Sequence, residues 1–218
     1  MGGLNPPPVL VATRSAHKLR EIRDLLTDVP VRLLGPEDLG LPAREEEEGL
    51  EPFDTFALNA LSKAKYFHRR SGLPVLADDS GLCVDALGGG PGVRTRRFAP
   101  AEWVDRWGRD EANNRWLLDR LGGVADGERA AHYRCAVALT DDLRHEVVEG
   151  VVRGLIVREP RGTGGFGYDP LFVPEGYEGS YAELPEAVKA ETSHRSVAVR
   201  RARGWIETHV VRNRGGRI

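Results

Sequence analysis

Apolar residues along this chain fall into short runs separated by stretches rich in glycine, proline and acids, the rhythm of an α/β protein. Val9-Leu10-Val11-Ala12 has the length of a buried strand. Ser15 can then cap a helix, with Leu19, Ile22, Leu25 and Leu26 on one face and Pro30 closing the segment. Residues 31–34 read as a second strand, so the chain opens strand–helix–strand. Asp54 can cap a helix over about 55–70. Its inner face (Ala57, Ala60, Leu61, Ala64, Phe67) is small enough to pack closely on a sheet. A strand over 74–77 is expected to end at Asp78-Asp79-Ser80-Gly81, with a separate strand over 82–87 and a glycine-rich loop over 88–92. A helix around 101–121 would bury Trp103, Trp107, Trp116, Leu117 and Leu121 and stop at Gly122-Gly123. Residues 131–140 and 145–153 read as strands joined at Asp141-Asp142, with 154–157 as a further strand piece. A glycine-rich loop over 162–167 and an irregular stretch to Pro185 precede a last helix over about 194–209, carrying Val197, Val199, Ala202 and Ile206. Residues 1–8 read as a mobile proline-rich leader and 212–218 as a basic, flexible tail. No repeat or interdomain linker interrupts 9–211, which reads as one domain.

Composition narrows the class. At 218 residues and 40 % hydrophobic content the chain is long and apolar enough to bury a core, which excludes long-range disorder. No apolar run approaches the ~18 residues of a membrane-spanning helix, and no secretory leader is evident, so a cytoplasmic, non-membrane protein is expected. Cys83 and Cys135 lie among apolar residues and read as buried free thiols of a cytosolic protein. The net charge of −2 disfavours nucleic acid as a partner. Among the 31 basic residues only Lys18, Lys63, Lys65 and Lys189 are lysine, which singles each of them out.

Several short constellations could carry chemistry. Thr13-Arg14-Ser15-Ala16-His17-Lys18 follows a strand and opens a helix, where backbone N–H groups attract anions and Lys18 adds a full charge. Taken alone it is also an ordinary helix cap. Asp78-Asp79 suits Mg²⁺, which favours one or two carboxylates plus substrate phosphates, and could supply a base for a water. Asp, Ser and Gly in that order are equally the makings of a turn. Gly162-Thr163-Gly164-Gly165-Phe166-Gly167 matches a dinucleotide-binding spacing, but Pro170 argues against the helix such a motif must open. What remains is a loop with Phe166 and Tyr168 available to stack and Asp169 able to accept. Ser193-His194-Arg195, with Lys189 before it, places donors at a helix start. Arg94, Arg96 and Arg97 form a basic knot that reads best as a solvated face.

Taken together these segments resemble one family, the pyrophosphatases of non-canonical purine nucleoside triphosphates. Its first motif, A-T-x-N-x-x-K-x-x-E, is similar to Ala12-Thr13-Arg14-Ser15-Ala16-His17-Lys18-Leu19-Arg20-Glu21, with Ser15 standing where the motif has Asn. The second, T-F-x-x-N-A-x-x-K-A, resembles Thr55-Phe56, Asn59-Ala60 and Lys63-Ala64. The third, L-A-D-D-S-G-L-x-V-D-A-L, matches 76–87, followed by G-x-P-G-V at 89–93. G-G-F-G-Y-D-P-x-F matches 164–172, and A-E-L, K and S-H-R match 182–184, Lys189 and 193–195. The matches are co-linear from 12 to 195.

The resemblance implies an α/β fold with a long mixed central sheet flanked by helices. It also implies two lobes with the active-site cleft between them, so that 9–211 would be a single two-lobed catalytic domain. The implied reaction is Mg²⁺-dependent hydrolysis of dITP, ITP or XTP to the monophosphate and pyrophosphate, usually by a homodimer. By the same resemblance Thr13, Ser15, Lys18 and Lys63 would hold the triphosphate. Glu51 and Asp79 would bind Mg²⁺, with Asp79 also the base and Ser80 touching substrate beside it. The acidic run over 45–48 offers competitors for Glu51's role. Phe166 would stack on the purine, with Gly167, Tyr168 and Asp169 completing that wall. Lys189, His194 and Arg195 would donate to the 6-oxo edge, which adenine lacks. Two alternatives fit the same residues: a pyrophosphatase of other base preference, and a silent nucleotide- or RNA-binding protein on the same fold.

Overall fold

The computed structural model describes residues 5–212. The chain begins β1 (Pro8–Val11), α1 (Ala16–Leu25), β2 (Arg32–Leu34), as the apolar runs predict. Ser15 caps α1 by accepting the Lys18 N–H at 3.4 Å. α2 (Phe56–Ser71) is capped by Thr55, whose hydroxyl accepts from Leu58, rather than by Asp54. The Thr55 cap leaves Asp54 outside the helix. α2 ends at Gly72, and its buried face includes Asn59 beside Phe56, Ala60, Ala64 and Phe67.

β3 (Val75–Val84) is one unbroken strand, not two strands separated by a turn. The Asp78-Asp79-Ser80-Gly81 segment therefore sits in the middle of a sheet, and only Ser80 among the ten residues is partly exposed. Residues Asp85–Leu87 leave the strand as a 3₁₀ turn. The expected single helix over 101–121 is two, α3 (Ala101–Trp107) and α4 (Arg109–Arg120). Gly108 divides them at φ 78° and ψ 161°, backbone that no helix contains. Trp103, Trp107 and Trp116 are only half-buried and pack on one another, with ring centroids 5.0 and 5.2 Å apart. Leu117 and Leu121 carry the burial instead.

β4 (Ala130–Thr140) and β5 (His145–Ile156) follow, β5 absorbing the separate piece expected at 154–157. β6 (Phe172–Pro174) lies in the stretch read as irregular, and α5 (Glu186–Thr192) falls between that stretch and the last helix, where no element was expected. α6 (His194–Ile206) runs on into a π-helical turn over Glu207–Val211. Pro8 already belongs to β1 and the Pro7 carbonyl accepts the Arg32 N–H. Residues 1–4 of the expected leader and 213–218 of the expected tail fall outside the described residues.

The strands form one six-stranded sheet in the order β2-β1-β3-β4-β5-β6. β1 pairs in parallel with β2 and β3, and β5 pairs antiparallel with β6, so the sheet is mixed. The chain groups into two compact units. The first takes residues up to Asp79, Cys135–Gly150 and from Arg195 onward; the second takes Ser80–Arg134 and Val151–His194. In the first, Val9, Val11, Ile22, Leu76, Val137 and Val199 form the core. In the second, Leu82, Leu117, Leu121, Tyr133, Leu171 and Phe172 do so. Cys83 and Cys135 are buried free thiols as expected, and burial pushes the Cys135 thiol up to about 12. Among the described residues no helix is long and apolar enough to cross a membrane.

Candidate active site

The first unit gathers the carboxylates of β3 with cations from three helices. Asp78 is 1 % exposed. Its Oδ2 accepts from Lys18 Nζ of α1 at 2.9 Å and from Arg195 Nε of α6 at 3.2 Å. Burial alone would raise its pKa, but the charges of Lys18 and Arg195, and to a lesser extent Lys63, override burial and hold it well below 3.8. A carboxylate this deep is tolerated in a strand only because those partners were brought to it.

Asp79, the next residue, has the opposite balance. Burial raises its pKa to about 6, helped by the neighbouring Glu51 charge and opposed by Lys63 and a hydrogen bond from Asn59. Lys63 of α2 pairs with Glu51. Burial opposes the charge on Lys63, yet Asp78, Glu51 and Asp79 together raise its pKa. Burial likewise opposes the charge on Glu51, and Lys63 and Lys18 prevail and lower its pKa. The structure thus brings Glu51, Lys63, Asp79, Asp78 and Lys18 into one electrostatic cluster.

The competing acids lie elsewhere. Glu45–Gly49 is a 3₁₀ helix rather than a loop. Glu47 accepts from Arg14 at 2.8 and 2.9 Å and from Arg70 at 2.8 Å, and Glu46 accepts from Tyr66. With those groups committed, Glu51 is the acid of this segment that joins the cluster. Arg14 in the expected phosphate loop is held by Glu37 and Glu47 and faces away from that task. Thr13 Oγ1 accepts the Ser15 N–H at 3.2 Å, which shapes the start of α1.

Arg195, expected at the purine edge, lies within the carboxylate cluster. It is 2 % exposed, donates Nε to Asp78 and places Nη1 2.6 Å from Glu21 of α1. Its side chain belongs to the carboxylate cluster and acts on Asp78.

Because ionised Asp78 is favoured by the fold, its contribution is present above the ordinary value of 3.8 and is lost as the pH falls below it. The stability advantage of the native protein over Asp78→Asn should be flat from neutrality to about pH 4 and shrink below it. Urea midpoints measured from pH 7 to 3 check this; an advantage that grows on acidification contradicts it.

The second unit holds the aromatic loop. Asp169 Oδ2 accepts the Phe166 N–H at 2.7 Å and pairs with Lys189 of α5. Lys189 Nζ also lies 4.2 Å from the Phe166 ring centroid, a cation–π contact. Phe166 remains 40 % exposed. Tyr168 is not part of an open wall: it is buried, and its hydroxyl donates to the Thr95 carbonyl at 2.8 Å. Ring burial of that kind makes it a strut beneath the loop. His194 is buried too, stacked on Tyr133 at 4.7 Å and 8° between planes. The structure therefore joins Phe166, Asp169 and Lys189 as one group and withdraws Tyr168 and His194 into the packing.

Gly165 explains the glycine density of the loop. It adopts φ +72°, and a Cβ there would lie 2.1 Å from Asp169 Oδ2. Gly165→Ala is expected to cost about 1–3 kcal/mol and to detach Asp169 from Phe166 and Lys189. An unchanged urea midpoint would contradict that reading.

Sequence reasoning gave no role to Asn59, which the structure places at the centre of the first cluster. Its amide exchanges hydrogen bonds with the backbone of Phe53 at 2.9 and 3.1 Å, and it donates to Asp79. It therefore ties the segment carrying Glu51 to β3. A buried amide on an otherwise small apolar helix face is the signal that could have found it. Glu21, which fixes Arg195, stands in the first motif and was likewise given no role.

The protein is thus a mixed α/β fold with a buried carboxylate–lysine cluster built around β3. The chain belongs to the Ham1 family, whose model matches residues 9–205. A dITP/XTP pyrophosphatase of Anaeromyxobacter sp. (strain Fw109-5) is 43 % identical to it, over 91 % of this chain and 96 % of that protein. One of Streptomyces coelicolor is 43 % identical over 88 % and 93 %. A HAM1 protein structure from Coxiella burnetii matches with a TM-score of 0.81 and 33 % identity, covering 93 % of this chain and 99 % of that one. A nucleoside-triphosphatase / dITP/XTP pyrophosphatase structure from Mycobacterium abscessus matches at 0.71 and 40 % identity, covering 89 % and 97 %.

Proposed function

We propose that this protein hydrolyses dITP, ITP and XTP to the nucleoside monophosphate and pyrophosphate, clearing deaminated purines from the nucleotide pool. The observation that carries the reading is the Asp78-Asp79 pair in mid-strand, each carboxylate given a different set of partners. The names of the relatives support it.

In this reading Asp78 keeps Lys18 and Arg195 ordered. Lys18, with further N–H donors to spare, the start of α1 and Lys63 bind the triphosphate oxygens, Thr13, Ser15 and Ser80 contributing hydroxyls. A pKa of about 6 suits Asp79 to take the proton of the attacking water. The water oxygen bonds to phosphorus as the anhydride P–O bond breaks, and pyrophosphate leaves. The residues fit Mg²⁺: Glu51 and Asp79 are hard oxygen donors, and the burial that disfavours ionised Asp79 is a penalty that a divalent cation offsets. When bound, it would neutralise charge on the phosphate oxygens. Among the described residues no three His, Cys, Asp or Glu side chains form a cage. Two carboxylates completed by water and phosphate is the ordinary way Mg²⁺ is held.

Phe166 stacks on the purine with its exposed surface, while Lys189 covers the ring and donates toward the 6-oxo group. An amino group at that position would face a donor, which disfavours adenine. Gly167 and Asp169 complete the loop, Tyr168 braces it through the Thr95 carbonyl, and His194 stacks on Tyr133. The proposed working form is a homodimer, as the resemblance implies, and the proposed location is the cytoplasm. Incubation of the purified protein with dITP and Mg²⁺ should yield the monophosphate and pyrophosphate. Release of inorganic phosphate and a diphosphate, or undiminished turnover in EDTA, would overturn the reaction or its metal.

A further inference from the structure

The loop that carries Phe166 is gripped by α4 through a single peptide unit at each side of Gly167. Asp110 Oδ2 accepts the Gly167 N–H at 3.0 Å, and Asn114 Nδ2 donates to the Gly167 carbonyl at 3.0 Å. Asp110 and Asn114 are one helical turn apart, so one face of α4 meets both groups. The residue before Asn114 does related work: Asn113 Oδ1 accepts the Ala99 N–H at 2.9 Å and its Nδ2 donates to the carbonyls of Thr95 and Arg96. Thr95 in turn accepts the Tyr168 hydroxyl. Both sides of the Phe166–Tyr168 segment are thereby referred to the same helix.

Asn114 is an unusual choice for a packing residue. It is 5 % exposed, and its Oδ1 is buried with no hydrogen-bond partner among the described residues. Burying that oxygen costs free energy, which a plain apolar residue would avoid. The retained amide has one hydrogen bond to show for it, the one to Gly167.

We infer that Asp110 and Asn114 are positioning residues for base selection: α4 sets where Phe166 stands, and so which purines stack well. This rests on the proposed pyrophosphatase reading. Neither side chain is required to touch the nucleotide.

The test uses Asn114→Asp, which keeps the shape but turns the donor into an acceptor facing the Gly167 carbonyl, and Asp110→Ala, at a half-exposed position where folding is not at stake. Amide hydrogen exchange of the substrate-free proteins is expected to quicken over residues 164–169 and not over β3. In turnover, KM for dITP is expected to rise about tenfold to a hundredfold with kcat little changed, and the preference for dITP over ATP to narrow. Asn114→Gln, which keeps the donor, should recover part of the preference. Unchanged exchange at 164–169 would overturn the clamp. Faster exchange with an unchanged dITP-to-ATP ratio would overturn its role in selection. A native protein inert toward dITP would count against the pyrophosphatase reading, and the exchange result would still decide the clamp.

Discussion

Asp79→Asn is expected to lower pyrophosphate release about a thousandfold or more while leaving the protein folded. The substitution preserves shape within β3 but removes the oxygen proposed to bind the metal and the group proposed to take the proton. The fold should not suffer, and the sign of the pKa shift says why. Asp79 titrates near 6 in the folded chain and at 3.8 ordinarily, so the folded state holds the extra proton. Ionising it therefore works against the fold as the pH rises from about 4 to about 6. Replacing it by a neutral amide should hold or raise the melting temperature at neutral pH. The same shift predicts a limb in kcat/KM near pH 6 at limiting Mg²⁺, moving to lower pH as Mg²⁺ saturates, because a cation favours the ionised carboxylate. An Asp79→Asn protein of near-native activity, or a profile flat to pH 4.5 at limiting Mg²⁺, would remove Asp79 from the chemistry.

The second large effect is structural. Arg195→Met is expected to destabilise the protein by about 3–5 kcal/mol, toward the low end because Lys18 still faces Asp78. Arg195 is 2 % exposed and its two anionic partners, Asp78 and Glu21, lie in the same packed unit. Removing it leaves a buried carboxylate short of compensation and frees Glu21. Lys18 would then be drawn more firmly to Asp78, so KM for the triphosphate should rise as well. Urea unfolding at pH 7 reads the first effect and steady-state kinetics the second. A stability loss below about 1 kcal/mol would show that the Asp78 charge is carried by Lys18 alone.

The pattern of apolar residues was enough to find the opening β1–α1–β2 unit, α2 and the β4–β5 pair, because each has one clearly apolar face or run. It failed at β3 for an instructive reason. Asp78-Asp79-Ser80-Gly81 has the local chemistry of a turn, and nothing near it in sequence offsets two buried carboxylates. The offsetting groups come from Lys18, Lys63 and Arg195, up to 117 residues away. Local preference and final structure conflict where the cluster is built, which is where such conflict is expected. The break at Gly108 was missed because the apolar spacing runs on across it.

The site was legible as residue types and only partly as roles. Glu51, Asp79, Lys63 and Lys18 do converge, and so do Phe166, Asp169 and Lys189. That Arg195, Tyr168 and His194 are buried was not legible, because motif position carries no information about burial. Asn59, Asp110 and Asn114 were passed over because a polar helix residue looks solvated until its partner, Phe53 or Gly167, is placed against it.

The most direct test of the account is the specificity constant for pyrophosphate release from dITP and XTP against that from ATP and GTP, with Mg²⁺, at neutral pH. dITP and XTP are expected to be preferred over ATP by about a hundredfold or more, within reach of a site that hydrogen-bonds the substituent it selects, where discrimination can rise to about 10⁴. Equal constants for dITP and ATP, or release from none of the four, would contradict it.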